Sequence, residues 1–232
     1  MILRLDALST LNSERAARRA VAVVTDIASG AQRVVKAKDV AADPLRDVLE
    51  KHFRSGKSGI EEIEGARVFL TVHVPPPKLV ITGAVHVSQT LAPMARMLGY
   101  DVTIVDPRTA FATAERFPDV KLIAEWPDIA LPPLGIDRYT AFTALTHDPK
   151  IDDPALLHAF KSDCFYIGAL SSKKTHAKRM ARLKEQGASD ADLARIHSPI
   201  GLNIGAVSPA EIAVSIMAEI TARLRQPAGA AA

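Results

Sequence analysis

The stretch at residues 78–106, KLVITGAVHVSQTLAPMARMLGYDVTIVD, constrains the fold more than any other part of the chain. A β-branched run over residues 79–82 stops at Gly83. Helically spaced apolar residues follow over residues 87–98, with Gly99 as C-cap, and a second β-branched run over residues 102–105 ends on Asp106. Strand, glycine turn, helix, strand and acid form the outline of a dinucleotide-binding βαβ unit. Gly83 holds the first glycine position, where the turn must be tight. Val85 stands where a second glycine would leave room for a pyrophosphate, and Ser88 is an acceptable small third residue. The branched side chain at Val85 narrows the approach to the turn. The segment therefore predicts a nucleotide-type fold whose ligand is not an ordinary dinucleotide. Pro93, within the helical spacing, is expected to end or kink that helix.

The alternation continues downstream. Residues 121–124, 140–145 and 164–167 read as further strands. Asp153 and Pro154 read as the N-cap and first-turn residue of a helix, and residues 173–186 as a basic helix closed by Gly187. Ser208, Pro209, Ala210 and Glu211 form a capping box that opens a last helix, whose Ile212, Ile216, Ile220 and Leu224 make one apolar stripe. This pattern predicts an α/β fold with a doubly wound, mostly parallel, Rossmann-like sheet of strand order 3-2-1-4-5. Pro75, Pro76 and Pro77 impose stiff extended backbone and mark a boundary. Before them, residues 21–25 read as a strand, Gly30 as a turn, residues 33–36 as the hairpin partner, residues 44–53 as a helix and residues 67–74 as another strand. The expected organisation is a small N-terminal α+β domain at residues 1–74 and a Rossmann-like domain at residues 78–226. The tail beyond Gln226 reads as disordered.

Composition excludes several classes. A net charge of +3 over 232 residues is too small to argue for nucleic acid. No apolar run approaches the ~20 residues of a membrane span. The first twenty residues carry acids and no unbroken apolar core, so they do not read as a secretory signal. A single cysteine, Cys164, rules out a disulfide framework and a thiolate cluster, and the set as a whole points to a cytoplasmic protein.

Ligands of such sheets bind beyond the carboxyl ends of the strands, where strand order reverses. The predicted loops there gather Gly83, Val85 and His86, then Asp106 with Arg108, then Thr146, His147 and Asp148, and finally Gly168, Ser171, Ser172, Lys173 and Lys174. Asp106 suits a ribose hydroxyl and equally an ordinary turn. His86 and His147 are candidate ligating or proton-carrying groups, and ordinary surface residues if isolated. His147 with Asp148, Asp152 and Asp153 also offers a metal alternative, Asp153 being better explained as the helix cap. Lys173 and Lys174 stand at a helix N-terminus, which already favours an anion, and Ser171, Ser172 and Thr175 add hydroxyl donors. The later cations Lys178, Arg179, Arg182 and Lys184 read as a solvated helix face. Residues 200–206, IGLNIGA, form a compact loop between helices. Cys164, at the head of a central strand, reads as a buried small hydrophobe.

The segments GAVHVSQTLAPMARMLGYDVTIVDPR, LTHDPKIDDPAL, YIGALSSKKTHAKR, ARIHSPIGLNIGA and SPAEIAVSIMAEI, in this order, resemble the C-terminal Rossmann domain of the XdhC/CoxI family over residues 78–222. These are accessory proteins of molybdenum hydroxylases such as xanthine dehydrogenase and carbon monoxide dehydrogenase. The resemblance implies binding of molybdenum cofactor (molybdopterin), its protection during sulfuration and its delivery to an apo-hydroxylase. A cysteine desulfurase as a second partner and a homodimeric state are implied with it. The implied cofactor-lining set is Gly83, Val85, His86, Asp106, His147, Asp148, Gly168, Ser171, Ser172, Lys173, Lys174, His176 and Asn203. This sequence departs from the family at three of these positions. Val85 and Ser171 replace glycines, and Asn203 replaces an aspartate. Larger members carry an N-terminal glycine-cysteine motif, whereas residues 1–74 here contain no cysteine. Three readings stay open at this point: a cofactor chaperone with no turnover of its own, an NAD(P)-dependent oxidoreductase using His147 as acid/base, and a nucleotide-sensing module.

Overall fold

The computed structural model describes residues 5–226. The tail read as disordered lies outside the described residues, and so does the side chain of Lys173. The chain forms two compact units, Met1–Pro75 and Pro76–Ala232.

The first unit runs α1 (Leu5–Ala16), β1 (Val21–Asp26), β2 (Gln32–Lys36), a 3-10 turn at Ala37–Ala42, α2 (Arg46–Ser55), β3 (Gly59–Ile63) and β4 (Ala66–His73). Its sheet is antiparallel, in the order β2-β1-β4-β3. β1 is apolar on both faces because both are covered. Ala22 and Val24 meet Leu49 of α2 together with Leu70 and Val72, while Val21 and Val23 meet Leu11 of α1. The hairpin around Gly30 and the strand before the prolines form where the sequence places them. The sequence reading missed α1, whose Leu5 and Leu8 stay exposed, and β3, whose Glu61 and Glu62 hide its alternation.

Glu14 of α1 is buried against Arg19 (2.6 Å) and Lys36 (3.4 Å). The Arg19 hydrogen bond, against the opposing effect of burial, lowers its carboxyl to about 2 from the usual 4.5. A depressed folded value means stability present above the unfolded value and lost as pH falls through the folded one. Acid titration of the wild type should therefore show a larger loss of stability between pH 4.5 and about 2 than that of Glu14→Gln, read by urea unfolding followed by circular dichroism.

The second unit contains β5 (Lys78–Thr82), α3 (His86–Met97), β6 (Asp101–Val105), β7 (Lys121–Ile123), α4 (Pro127–Ala130), a 3-10 turn at Pro132–Leu134, β8 (Thr140–Ala144), α5 (Pro149–Phe160), β9 (Tyr166–Ala169), α6 (Lys173–Glu185), α7 (Asp190–Ala194), β10 (Ile196–His197) and α8 (Pro209–Arg225). Its six strands are parallel, in the order β10-β9-β8-β5-β6-β7. This is a doubly wound α/β sheet with the expected 3-2-1-4-5 order and one further strand, β10, beyond β9. Leu79, Ile81 and Ile104 face one core, with Leu91 and Ala95 of α3 and Ile216 and Ile220 of α8. Val80, Val105, Phe142 and Ile167 face the other, with Leu156 and Ala159 of α5 and Leu183 of α6. Burial on both faces explains why these strands read as unbroken apolar runs. Both the apolar stripe and the capping box of α8 form as read, and the stripe packs into the core.

Four expectations are corrected. Pro93 neither ends nor interrupts α3, which runs on to Met97. α5 starts earlier than Asp153: Asp148 accepts a hydrogen bond from Lys150 N–H as the N-cap and Pro149 takes the first position. Asp153 is buried in an ion pair with Arg182 at 2.7 Å, and Pro154 sits inside the helix, where its missing N–H forfeits one bond near the start. β9 begins at Tyr166, two residues beyond Cys164. The loop at residues 200–206 joins β10 to α8, not two helices.

Candidate functional site

The turn after β5 is built around Gly83. Its φ of +115° lies in the left-handed region, and a Cβ there would come 2.8 Å from Thr146 Cγ2. The glycine thus lets the loop after β5 press onto the loop after β8. Ser88 Oγ–H donates to Gly83 O at 2.6 Å and locks the turn. Val85 precedes α3 in extended conformation, without a side-chain cap, and packs against the core; His86, next along, is exposed.

Asp106 is fully buried. Its Oδ1 accepts from Arg108 N–H and Nε, and its Oδ2 accepts from Ala84 N–H and Arg108 Nη2, all between 2.7 and 2.9 Å. Two donors on each oxygen use the whole acceptor capacity of a carboxylate. Burial opposes its ionised form, but these donors outweigh burial and hold the carboxyl below the usual range. Asp106 therefore ties the Gly83 turn to the loop after β6. Arg108 is raised above its ordinary value, first by the Asp106 hydrogen bond and further by Asp148 and Asp152, whose field reaches it from the loop after β8. The three loops converge.

The loop after β8 winds around Asp152. Thr146 Oγ1–H donates to Asp152 Oδ1 at 2.6 Å, Thr146 N–H to the same oxygen at 3.3 Å and His147 N–H to Oδ2 at 3.1 Å. Thr146 Oγ1 in turn accepts from Asp148 N–H at 3.0 Å. This wrapping holds His147 at φ +62°, sparsely populated for a residue with a side chain, and leaves its imidazole exposed. Arg179 of α6 completes the arrangement: Nη2 donates to Asp152 Oδ2 at 3.0 Å and to Leu170 O at 3.3 Å. Burial pushes the Asp152 carboxyl up, against the Thr146 hydroxyl, the Arg179 charge and the two backbone donors.

The loop after β9 supplies the remaining candidates. Gly168 was expected in that loop but lies within β9, where a Cβ would come 2.5 Å from Ile200 Cδ1 and 2.8 Å from Tyr166 Cε1. Its missing side chain makes room for Ile200. Ser171 is buried and its Oγ shares a 2.6 Å hydrogen bond with Ser198 Oγ, joining this loop to the end of β10. Ser172 caps α6, accepting from Thr175 N–H at 3.2 Å. Lys174 is exposed on the first turn, and His176 is half-buried one turn into the helix. Asn203 lies exposed in the loop between β10 and α8.

Sequence reasoning missed two buried groups. The basic run predicts a solvated face for Arg179, yet it is 3% exposed. The signal was its spacing: Arg179 and the fully buried Leu183 are four apart and share the inner face of α6. The other is Glu219, which accepts from Tyr166 OH (2.5 Å) and Gly201 N–H (2.8 Å), bonds His197 Nδ1 at 2.8 Å and so fastens the loop after β10 to α8. Tyr166 stacks on His197 with ring centroids 4.7 Å apart.

Among the described residues, no three His, Cys, Asp or Glu side chains come together as a metal ion would require, and Asp152 and Asp153 are held by Arg179 and Arg182. No described helix is long and apolar enough to cross a membrane. Cys164 is buried, and burial pushes its thiol up to about 11 against the pull of Arg195. It is a neutral thiol at pH 7. Labelling with dithiobis(nitrobenzoate) should be slow in the native protein and immediate in guanidinium chloride; equal rates would contradict the buried placement.

With this geometry in view, comparison with known proteins is specific. A sequence model of the XdhC Rossmann domain matches residues 79–220. The uncharacterized protein YqeB of Escherichia coli is 34% identical over 73% of this chain and 32% of its own length. A probable xanthine dehydrogenase subunit from Bacillus subtilis is 34% identical over 63% of this chain and 42% of its own. The molybdenum cofactor insertion chaperone PaoD of Escherichia coli is 32% identical over 66% of this chain and 42% of its own. The chain thus spans 32–42% of the length of these relatives. A crystal structure described as a xanthine dehydrogenase from Bacillus halodurans superposes with a TM-score of 0.66 at 23% identity, over 98% of this chain and 66% of that one, and shares the fold. The motifs, the crevice and the match over residues 79–220 agree: the chain belongs to the XdhC family and carries its Rossmann domain.

Proposed function

We propose that this protein binds molybdenum cofactor in the crevice beyond β5, β8 and β9, and supports its sulfuration and insertion into a molybdenum hydroxylase of the xanthine dehydrogenase or carbon monoxide dehydrogenase type. The observation that carries the reading is the pairing of a filled acid with an anion-favouring wall. Asp106 has no acceptor capacity left for a ribose diol, so the feature that selects an ordinary dinucleotide is committed elsewhere. The wall across from it is the N-terminus of α6, capped by Ser172 and bearing Lys174. A phosphate-bearing pterin fits such a wall. The names of the relatives from Bacillus subtilis and Escherichia coli point the same way. In this role the chain's own residues bind and shield; the cofactor supplies its redox chemistry once it sits in the client enzyme. A cysteine desulfurase and the apo-hydroxylase are the partners the role requires, with a homodimer as the working form.

The test is purification from a host that makes molybdenum cofactor, followed by denaturation, oxidation of the released material and measurement of pterin fluorescence and molybdenum, with NAD(H) and NADP(H) titrated in parallel. Near-stoichiometric pterin without dinucleotide binding is expected. Dinucleotide binding without pterin would sink the proposal and make an oxidoreductase or sensor the better reading. Val85→Gly is expected to leave dinucleotide affinity negligible.

A further inference from the structure

Arg108, in the loop after β6, is committed on one edge of its guanidinium only. Nε donates to Asp106 Oδ1 at 2.9 Å and Nη2 to Asp106 Oδ2 at 2.7 Å, a side-on pair with a fully buried carboxylate. The end-on edge is made by one N–H of Nη1 and the second N–H of Nη2, and these two bonds run parallel. Among the described residues, Asp106 is the only hydrogen-bond acceptor for this side chain. Nη1 is open to solvent, and the side chain is 32% exposed. The surroundings hold that edge in place. Ala84 N–H, 2.7 Å from Asp106 Oδ2, anchors the pair to the Gly83 turn. Phe111 lies against the guanidinium, with Cζ 4.6 Å from the ring centroid. Arg116 in turn holds Phe111: its Nη1 donates to Phe111 O at 2.8 Å and to Ala84 O at 2.9 Å, and its Nη2 donates to Gln89 Oε1 at 3.2 Å. Asp148 and Asp152 act on Arg108 through their charge, with no hydrogen bond to it among the described residues. The rotamer freedom that an arginine gives up on binding an anion is already given up on folding.

We propose that Arg108 is an anion-binding residue of the crevice, and that its end-on edge takes two oxygens of a phosphate group of the ligand. Two parallel N–H bonds match phosphate bidentately. Asp106 cancels much of the charge at long range, so recognition here rests on the short pair of hydrogen bonds and supplies orientation more than attraction. The same contact that removes Asp106 as a ribose acceptor therefore presents Arg108 as a phosphate donor. The group recognised is a phosphate, whether it belongs to a pterin or to a nucleotide. The inference rests on the reading that the strand-end crevice is the binding site; it does not rest on which phosphorylated ligand binds there.

The experiment uses the full chain freed of co-purified ligand and carrying isotope-labelled arginine. Inorganic phosphate is titrated in while calorimetry records affinity and NMR of the guanidinium nitrogens records which arginine responds. Arg108→Lys keeps a charge beside Asp106 but loses the parallel pair, and its spectrum identifies the Arg108 signals. Because a change beside a buried carboxylate can unfold the chain, Asp106→Asn with Arg108→Gln removes both charges together, and melting temperature is recorded for each variant. A saturable shift of the Arg108 Nη1 signal is expected in the wild type, with phosphate binding weaker by roughly tenfold or more in both variants. Wild-type Arg108 signals that stay still overturn the assignment. So does either variant that melts lower yet binds phosphate as the wild type does, because Arg108 would then be structural only. NADP(H) and NAD(H), which differ by one phosphate, separate the sources. Binding of NADP(H) alone, lost in Arg108→Lys, in a chain that carries no pterin would keep this assignment and defeat the cofactor proposal. Pterin that co-purifies with the wild type and is lost from Arg108→Lys would assign the phosphate to the pterin. Bound pterin retained by both variants would overturn this assignment and leave the cofactor proposal standing.

Discussion

Replacing Asp152 with alanine is expected to cost about 3–5 kcal/mol of unfolding free energy, the usual result of stranding a buried charge beside a missing partner. The stranded charge is Arg179, at 3.0 Å and 4% exposed. The same change removes the acceptor for Thr146 Oγ1–H and for two backbone N–H groups, so the loop carrying His147 loses what holds it at positive φ. Trp126 is the sole tryptophan and stands at the N-cap of α4 in the second unit, so its fluorescence reports on this unit during urea unfolding. The double substitution Asp152→Asn with Arg179→Gln should lose less than Asp152→Ala, because no charge is left alone. A single substitution costing under about 1 kcal/mol, the scale of an exposed ion pair, would show that water reaches the pair.

The second large effect is expected at Gly201. An added Cβ would stand 2.3 Å from Ser215 Oγ and 3.0 Å from Ile216 N, at φ +90°. Left-handed backbone and overpacking together predict a loss of about 2–5 kcal/mol for Gly201→Ala. Ser215 Oγ–H donates to Leu202 O and Gly201 N–H to Glu219, so the clash falls on the bonds that fasten the loop to α8. Gly205→Ala is the internal control. Its φ is +73° and nothing lies near the added atom, so backbone strain of about 1–2 kcal/mol is all that remains. Equal losses at the two positions would contradict the close approach at Gly201.

The fold was legible because the second unit is locally consistent. The β5–α3–β6 segment, the capping box at Ser208 and the proline boundary each announce themselves over short stretches, and the topology rules do the rest. What stayed hidden depends on contacts across sequence. Asp153 and Asp148 both precede a proline, and local chemistry does not decide between them; Arg182, twenty-nine residues later, does. Asp106 looks like a ribose acceptor until Arg108 and Ala84 are seen to fill it. Arg179 looks like one cation in a basic run, and only the loops after β8 and β9 make it a buried one. At the candidate site, sequence located the turn at Gly83 and the start of the basic helix at Lys173, but not the caps, which are Asp148 and Ser172. It did not reveal that Gly168 serves packing or that Ser171 bonds Ser198.

The edges of the parallel sheet carry a last consequence. β10 offers two residues and β7 three, at the two ends of a six-strand array. A visiting strand would find too few backbone partners on either side to extend the sheet, and short edges of this kind protect against runaway pairing between copies. Growth by strand addition is thus closed to this unit from both directions. Any association it makes with a second copy or with a client has to be written in side chains, on helices and loops, where single substitutions can tune it without touching the ladder.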